Sequence, residues 1–188
     1  NFIKHVTEKI SNQKYFLYGH SFGGNLVINY SFKKNKKING IIATSPLIKP
    51  SIEPSKVKLF MGKFFQKLVP SLRLSNGIKI NGISRNMQVI NDYINDPLIH
   101  NKVSVRLGLD IISSGIYALE NSRYITVPML VFHGKKDELT SYNASKKLVE
   151  NSGENTKFIG FNDAYHEIHN EPEKEELLRN IFNWINLI

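Results

Sequence analysis

Along this chain, short apolar runs bounded by glycine or polar turns read as buried strands, and segments with a 3.6-residue apolar period lie between them. Tyr15-Phe16-Leu17-Tyr18, closed by Gly19, is the first such run. Beyond Gly24, Leu26, Val27, Tyr30 and Ser31 recur at helical spacing, and the lysine-rich run 33–37 suits a helix C-terminus through its dipole. Ile38 to Thr44 reads as a second strand ended by Ser45-Pro46, Val127 to His133 as a third ended by Gly134, and Thr156 to Phe161 as a fourth. The last helix is expected to start near Pro172, with Glu173, Glu175 and Glu176 in its favourable first turn. Its apolar face reads as Leu177, Leu178, Ile181, Phe182 and Ile185.

Strands that alternate with helices predict parallel pairing, hence an α/β fold with helices flanking a mostly parallel sheet. Residues 46–126 break the rhythm: Pro46, Pro50, Pro54, Pro70 and Pro97 punctuate helical patterns without a convincing strand series. The expected organisation is one sheet domain, formed by 1–45 and 127–188, interrupted by a helical cap insertion over 46–126.

Composition narrows the function classes. With 188 residues, 41% apolar and 22% charged, the chain is sized for one globular domain. The absence of cysteine excludes disulfide frameworks, thiolate metal sites and cysteine nucleophiles. No apolar run reaches the ~18–20 residues of a membrane-spanning helix. The net charge is +9, but 20 of the 25 basic residues are lysines, beside 21 asparagines and 23 isoleucines, a bias typical of A/T-rich coding sequence. No dense basic run carries interleaved aromatics, so nucleic acid is not an expected partner. Asn1 is not an initiator methionine and no signal-like stretch opens the chain, so a piece of a longer polypeptide is expected. The sequence leaves the compartment open, with the cytoplasm favoured, and a soluble or peripheral protein is expected.

Gly19-His20-Ser21-Phe22-Gly23 fits G-x-S-x-G between a strand and a helix. A sharp turn there lifts the Ser21 hydroxyl clear of the sheet, and the flanking glycines remove side chains that would clash with neighbouring backbone. The Phe22 amide then points where a tetrahedral oxyanion would form. With 12 glycines and 16 serines, the pattern arises by chance roughly 0.06 times in such a chain. Serine at its free pKa needs a base, and the base needs an orienting acid. The third strand runs into His133-Gly134-Lys135-Lys136-Asp137-Glu138, and the fourth into Phe161-Asn162-Asp163-Ala164-Tyr165-His166. Both loops follow strand carboxyl ends, where ligand sites of open α/β sheets lie. Asp137 would hold His166, and His166 would take the proton of Ser21.

Rivals exist for each role. Glu138 is the alternative acid, Asp163 reads as a turn residue, and His169 as the start of the last helix or a surface residue. His20 and His133, beside glycines, read as structural hydrogen-bonders, and His5 and His100 lack context. His166 and His169 do not form the i, i+4 zinc pair, so no metal is expected.

Taken together, Gly-His-Ser-Phe-Gly-Gly at 19–24, His-Gly-Lys-Lys-Asp at 133–137 and Ala-Tyr-His-Glu-Ile-His-Asn-Glu at 164–171 resemble the serine α/β-hydrolases. Within them the chain is similar to the monoacylglycerol lipase and lysophospholipase group. The narrower likeness rests on Ser45-Pro46-Leu47, Leu68-Val69-Pro70-Ser71-Leu72, Ser84-Arg85-Asn86 and Asn95-Asp96-Pro97-Leu98-Ile99, which follow that group's cap in order. The similarity runs from about Lys14 to the C-terminus. It implies an α/β-hydrolase fold, Ser21 as nucleophile, Asp137 as acid, His166 as base and Phe22 as one oxyanion amide, with no cofactor. In that family the second oxyanion amide comes from a His-Gly segment well before the elbow. Only 18 residues precede Gly19, so this chain is expected to be a partial fold, the C-terminal portion of a larger hydrolase.

The resemblance implies cleavage of monoacylglycerols, lysophospholipids or similar single-chain lipid esters through an acyl-enzyme. Leu59, Phe60 and Phe64, with His20, are the candidate substrate contacts. The helix that carries them reads as amphipathic with Lys56, Lys58, Lys63 and Lys67 on its flank. Such a helix can shield an acyl tunnel and rest on a membrane surface, or simply pack the cap on the core. The competing readings are a general short-chain esterase and an inactive hydrolase fragment that serves as a binding module.

Overall fold

The computed structural model describes residues 2–10, 13–33 and 37–188. In chain order they form α1 (Phe2–Lys9), β1 (Phe16–His20), α2 (Phe22–Tyr30), β2 (Gly40–Thr44), α3 (Lys56–Leu68), β3 (Arg73–Ser75), α4 (Met87–Asn95), β4 (Lys102–Ser104), α5 (Val105–Glu120), β5 (Met129–Gly134), α6 (Tyr142–Glu150), β6 (Thr156–Phe161) and α7 (Lys174–Leu187). The lysine run predicted to close α2 falls largely on 34–36, outside the described residues.

The main sheet has the order β1-β2-β5-β6, and every pair in it is parallel. Its register aligns the strand ends: His20 faces Thr44, Thr44 faces Phe132, and Gly134 faces Phe161. All four strands therefore deliver their following loops to one edge. Central β2 and β5 are buried along their whole length, which is why they read as unbroken apolar runs.

Side-chain alternation sorts those runs onto two faces. Ile41, Ala43, Met129 and Val131 meet Ile28 of α2, Ala118 of α5 and Leu148 of α6. Ile42, Leu130 and Phe132 meet Leu177 and Trp184 of α7 on the other side. Trp184 stands edge-on to Phe16, with ring centroids 5.8 Å apart. The stripe against the sheet is Leu177, Ile181, Trp184 and Ile185 of α7, continued by Ile188 just past its end. Leu178 and Phe182, predicted for that face, lie one position beyond it and are 54% and 67% exposed.

Residues 46–126 hold α3, α4 and α5, together with an antiparallel pair, β3 with β4, that the sequence pattern did not show. Ser55, Asn86 and Ser104 each cap the helix that follows, accepting from Lys58 N, Gln88 N and Leu107 N. The end of this stretch packs as part of the sheet domain. Ala118 and Ile125 belong to the core against α2, and a Cβ on Gly115 would lie 2.0 Å from the Ile48 carbonyl. Its start is tied to the loop after β5: Ser51 N donates to Leu139 O, and Ser141 N to Lys49 O.

Candidate active site

Ser21 sits between β1 and α2 with φ 53° and ψ −119°, a left-handed conformation unusual for a residue with a Cβ. Such strain costs on the order of 1–3 kcal/mol and must be held by its surroundings. Three backbone bonds hold it: Ser21 N donates to Thr44 O at 3.0 Å, while Ser21 O accepts from Asn25 N at 3.1 Å and Leu47 N at 2.9 Å. The turn is so tight that a Cβ on Gly19 would meet the Gly23 carbonyl oxygen at 2.3 Å. Phe22 opens α2, so its amide belongs to the positive end of the helix dipole.

Asp137 lies in the loop after β5 with its side chain fully buried. Its Oδ1 accepts from Leu139 N at 2.7 Å and Thr140 N at 2.9 Å. Its Oδ2 accepts from the Thr140 hydroxyl at 2.8 Å and stands 2.8 Å from His166 Nδ1. His133 Nε2 lies 3.1 Å from the same oxygen. Burial would raise the carboxyl, but the hydrogen bonds from His133 and His166 outweigh it and hold Asp137 well below the ordinary carboxylate range. An ionised carboxylate on Nδ1 fixes His166 as the tautomer whose Nε2 is free to accept a proton.

His166 sits in the loop after β6, and its carbonyl accepts from the Ser45 hydroxyl at 2.7 Å. Ser45 follows β2 and also has a positive φ, 43°. The His20 ring packs on His166 and on His169, each at 4.7 Å between centroids, and its Nδ1 lies 3.1 Å from the Thr44 hydroxyl. His20 thus links the Ser21 elbow to His166. No hydrogen bond joins Ser21 Oγ to His166 Nε2 among the described contacts; in free enzymes this bond is often long and tightens with substrate.

Burial first, then the neighbouring His166 and His169, lower the His20 pKa from 6.5 to about 3. A histidine kept neutral in the folded state but protonated when unfolded stabilises fully above its unfolded value and loses that contribution as pH falls from about 6.5 towards 3. Urea unfolding at pH 7 and pH 5 should therefore show a loss of at most about 1.4 kcal/mol per pH unit from this group. His20→Phe should flatten that slope. An identical slope in the two proteins would contradict the burial of a neutral ring.

The rival acids have other partners. Glu138 is exposed and pairs with Lys79 at 3.3 Å, and Asp163 is exposed and pairs with Lys136 at 2.8 Å. His169 lies in a short 3-10 turn, Ile168–Asn170, ahead of α7 rather than in it. Of the predicted substrate contacts on α3, Leu59 is half-buried, whereas Phe60 and Phe64 are 71% and 53% exposed. The helix turns Gly62 towards Leu109 of α5, which carries these two rings outward instead of into an enclosed tunnel. A cleft of about 580 Å³ opens instead between Ile78–Gly82 and the loops after β5 and β6, at Glu138 and Tyr165.

Sequence reasoning gave no role to Glu171, although it ends the motif that carries His166. Its carboxylate is fully buried and accepts from the Ser84 hydroxyl at 2.6 Å, Arg85 N at 2.7 Å, Arg85 Nε at 2.5 Å and Tyr165 N at 3.2 Å. Arg85 Nη2 also pairs with Glu173. Glu167 N adds a bond to Ile83 O at 2.8 Å. The segment 83–85 is thereby clamped to the loop that presents His166.

The model of the serine aminopeptidase S33 family of hydrolases matches residues 1–173. The chain belongs to that family. A monoacylglycerol lipase from Paleococcus ferrophilus, known from its crystal structure, superposes with a TM-score of 0.89 at 33% identity, over 97% of this chain and 72% of that one. The fold is therefore that of the α/β-hydrolases. An uncharacterized abhydrolase domain-containing protein of Dictyostelium discoideum is 38% identical over 91% of this chain and 19% of its own length. Phospholipase YtpA of Bacillus subtilis is 32% identical over 87% of this chain and 64% of its own. The chain thus spans less than two thirds of the length of these two curated relatives.

Proposed function

We propose that the protein carrying this S33 chain is a carboxylic ester hydrolase for single-chain lipid esters, monoacylglycerols or lysophospholipids. The observation that carries the reading is the 2.8 Å contact of His166 Nδ1 with Asp137 Oδ2, in loops that share a sheet edge with the Ser21 elbow. Ser21 Oγ attacks the ester carbonyl while His166 Nε2 takes its proton. The oxyanion forms at the Phe22 amide, at the N-terminus of α2. His166 then protonates the leaving alcohol, and water activated by the same nitrogen hydrolyses the acyl-Ser21 ester. The names of the relatives support the substrate class, since one is a monoacylglycerol lipase and another a phospholipase.

Hydrolysis of a panel of p-nitrophenyl esters, 1-monoacylglycerols and lysophosphatidylcholines by the full-length protein tests this. Preference for medium or long acyl chains is expected. Activity confined to acetate and butyrate esters would favour a general esterase. No turnover by folded protein would favour a binding module.

The cap reading extends to the lipid surface. Val57, Phe60, Phe64 and Leu68 are exposed on α3 among Lys56, Lys58, Lys63 and Lys67, a pattern suited to an anionic interface. Val57→Ser combined with Leu68→Ser is expected to weaken co-sedimentation with anionic phospholipid vesicles at least about tenfold. Unchanged sedimentation would remove α3 from the interface.

A further inference from the structure

Thr140 takes no step in ester cleavage, yet it reaches both oxygens of the Asp137 carboxylate. Its amide donates to Oδ1 at 2.9 Å and its hydroxyl to Oδ2 at 2.8 Å. The residue is only 2% exposed, so water does not compete for these bonds. The hydroxyl has one proton and two acceptors within reach, Asp137 Oδ2 and the Ser45 carbonyl at 3.2 Å. The shorter contact and the ionised acceptor direct that proton to Asp137. Thr140 is itself held from the strand behind it. His133, fully buried near the end of β5, places Nε2 3.2 Å from the Thr140 carbonyl, and its Nδ1 lies 2.9 Å from the Ser145 hydroxyl of α6. A carbonyl only accepts, so His133 Nε2 donates and fixes the Thr140 backbone.

We infer that Thr140 is a positioning residue for Asp137: its hydroxyl sets the plane of the carboxylate and so aims Oδ2 at His166 Nδ1. Resting on the hydrolase reading above, this role deepens it from which residues react to what holds the acid in register. The amides of Leu139 and Thr140 both bind Oδ1, at 2.7 and 2.9 Å. Pinning one oxygen restrains the carboxylate only loosely, because the Asp Cβ–Cγ torsion is soft. The Thr140 hydroxyl adds a donor on the other oxygen, from the same rigidly held residue, and removes that freedom. His166 Nδ1 then meets Oδ2 at 2.8 Å, on lone-pair capacity that the hydroxyl leaves open. The Thr140 oxygen lies 3.4 Å from the same nitrogen, too far to compete for its proton. A misplacement of about 1 Å in a catalytic constellation can cost ~10²-fold in rate, which sets the scale of the effect.

The hydroxyl and the methyl of Thr140 can be removed separately, and that separates positioning from packing. Thr140→Val keeps the shape and loses the donor, whereas Thr140→Ser keeps the donor and loses the methyl. In the full-length protein, Thr140→Val should lower kcat by about ten- to a hundredfold with KM within about threefold of wild type. Thr140→Ser should keep kcat within about threefold of wild type. A packing role would give the opposite order, with valine the better substitute. Should the valine variant not fold, Thr140→Ala takes its place, since alanine and serine both lack the methyl and differ only in the hydroxyl. Solvent exchange of the His166 Nδ1 proton, followed by nitrogen-15-edited NMR, reads the hold of Asp137 without turnover. It should be at least about tenfold faster without the hydroxyl than in wild type or Thr140→Ser. A folded wild type that cleaves no ester counts against the hydrolase reading alone, and the proton exchange still decides the role of Thr140. Exchange unchanged by loss of the hydroxyl, or, where wild type turns over, a serine variant no faster than the valine or alanine variant, overturns the inference.

Discussion

Asp137→Asn is expected to lower ester turnover by about 10⁴-fold while the protein stays folded. Oδ1 accepts two backbone amides, so the asparagine carbonyl must take that place and its NH2 must face the Oδ2 partners. There it meets His166 Nδ1, which must then accept instead of donate. The His166 proton moves to Nε2, the atom that has to receive the proton of Ser21. Chemistry stops for want of a tautomer, not of a binding site, so KM should change far less than kcat. The variant should also lose part of the pH dependence of stability. A carboxylate held below its unfolded pKa, about 3.9, contributes stability above that value and loses it as pH falls below it. Steady-state kinetics with urea unfolding at pH 7 and pH 3 checks both parts. A loss under tenfold in kcat would remove Asp137 from the acid role and return Glu138 to consideration.

The second large effect concerns the loop instead of the reacting atoms. Glu171→Ala leaves Ser84 and Arg85 without the buried carboxylate that gathers them, and frees the Tyr165 amide next to His166. Burial alone would raise the Glu171 carboxyl. The hydrogen bonds of Ser84 and Arg85 outweigh it and hold the group below its ordinary range, so the ion is the bound form. Arg85 is about a third exposed and keeps Glu173, so the cost lies in the donors left unpaired. These are the Ser84 hydroxyl and the Arg85 and Tyr165 amides, about 1–3 kcal/mol each where buried, a large share of the ~5–15 kcal/mol that keeps a domain folded. For a domain of this size, Tm should drop by about 10 °C. Glu171→Gln keeps the shape but turns an NH2 towards two of its donors, so it should also destabilise, by less. A calorimetric Tm within about 2 °C of wild type for Glu171→Ala would show that segment 83–85 is not held through this group.

Much of the site was legible because its signals are local. A strand, G-x-S-x-G and a helix lie within sixteen residues, from Tyr15 to Tyr30, and each later chemical residue follows a readable apolar strand. What escaped the sequence depends on partners far away in the chain. Ser84-Arg85 and Glu171 both stand in recognisable phrases, yet nothing in either phrase says that they meet. His133 was readable as a hydrogen-bonder beside Gly134, but its partners, the Ser145 hydroxyl and the Thr140 carbonyl, depend on how the loop folds back. Ser45 closed a strand on paper, whereas its positive φ and its bond to the His166 carbonyl are tertiary facts. On α7, a contiguous apolar reading included Leu178 and Phe182, because a helical period alone does not fix which edge of a wide stripe meets the sheet. The strands β3 and β4 are three residues each and largely exposed, too short to carry an alternation.

The central claim is that Ser21 is an activated nucleophile in the protein that carries this chain. Intact-mass analysis of the full-length protein after incubation with a fluorophosphonate, alongside Ser21→Ala, tests it most directly. One phosphonyl adduct on wild type and none on the variant is the expected result. No adduct on folded wild-type protein, or an equal adduct on Ser21→Ala, would contradict it.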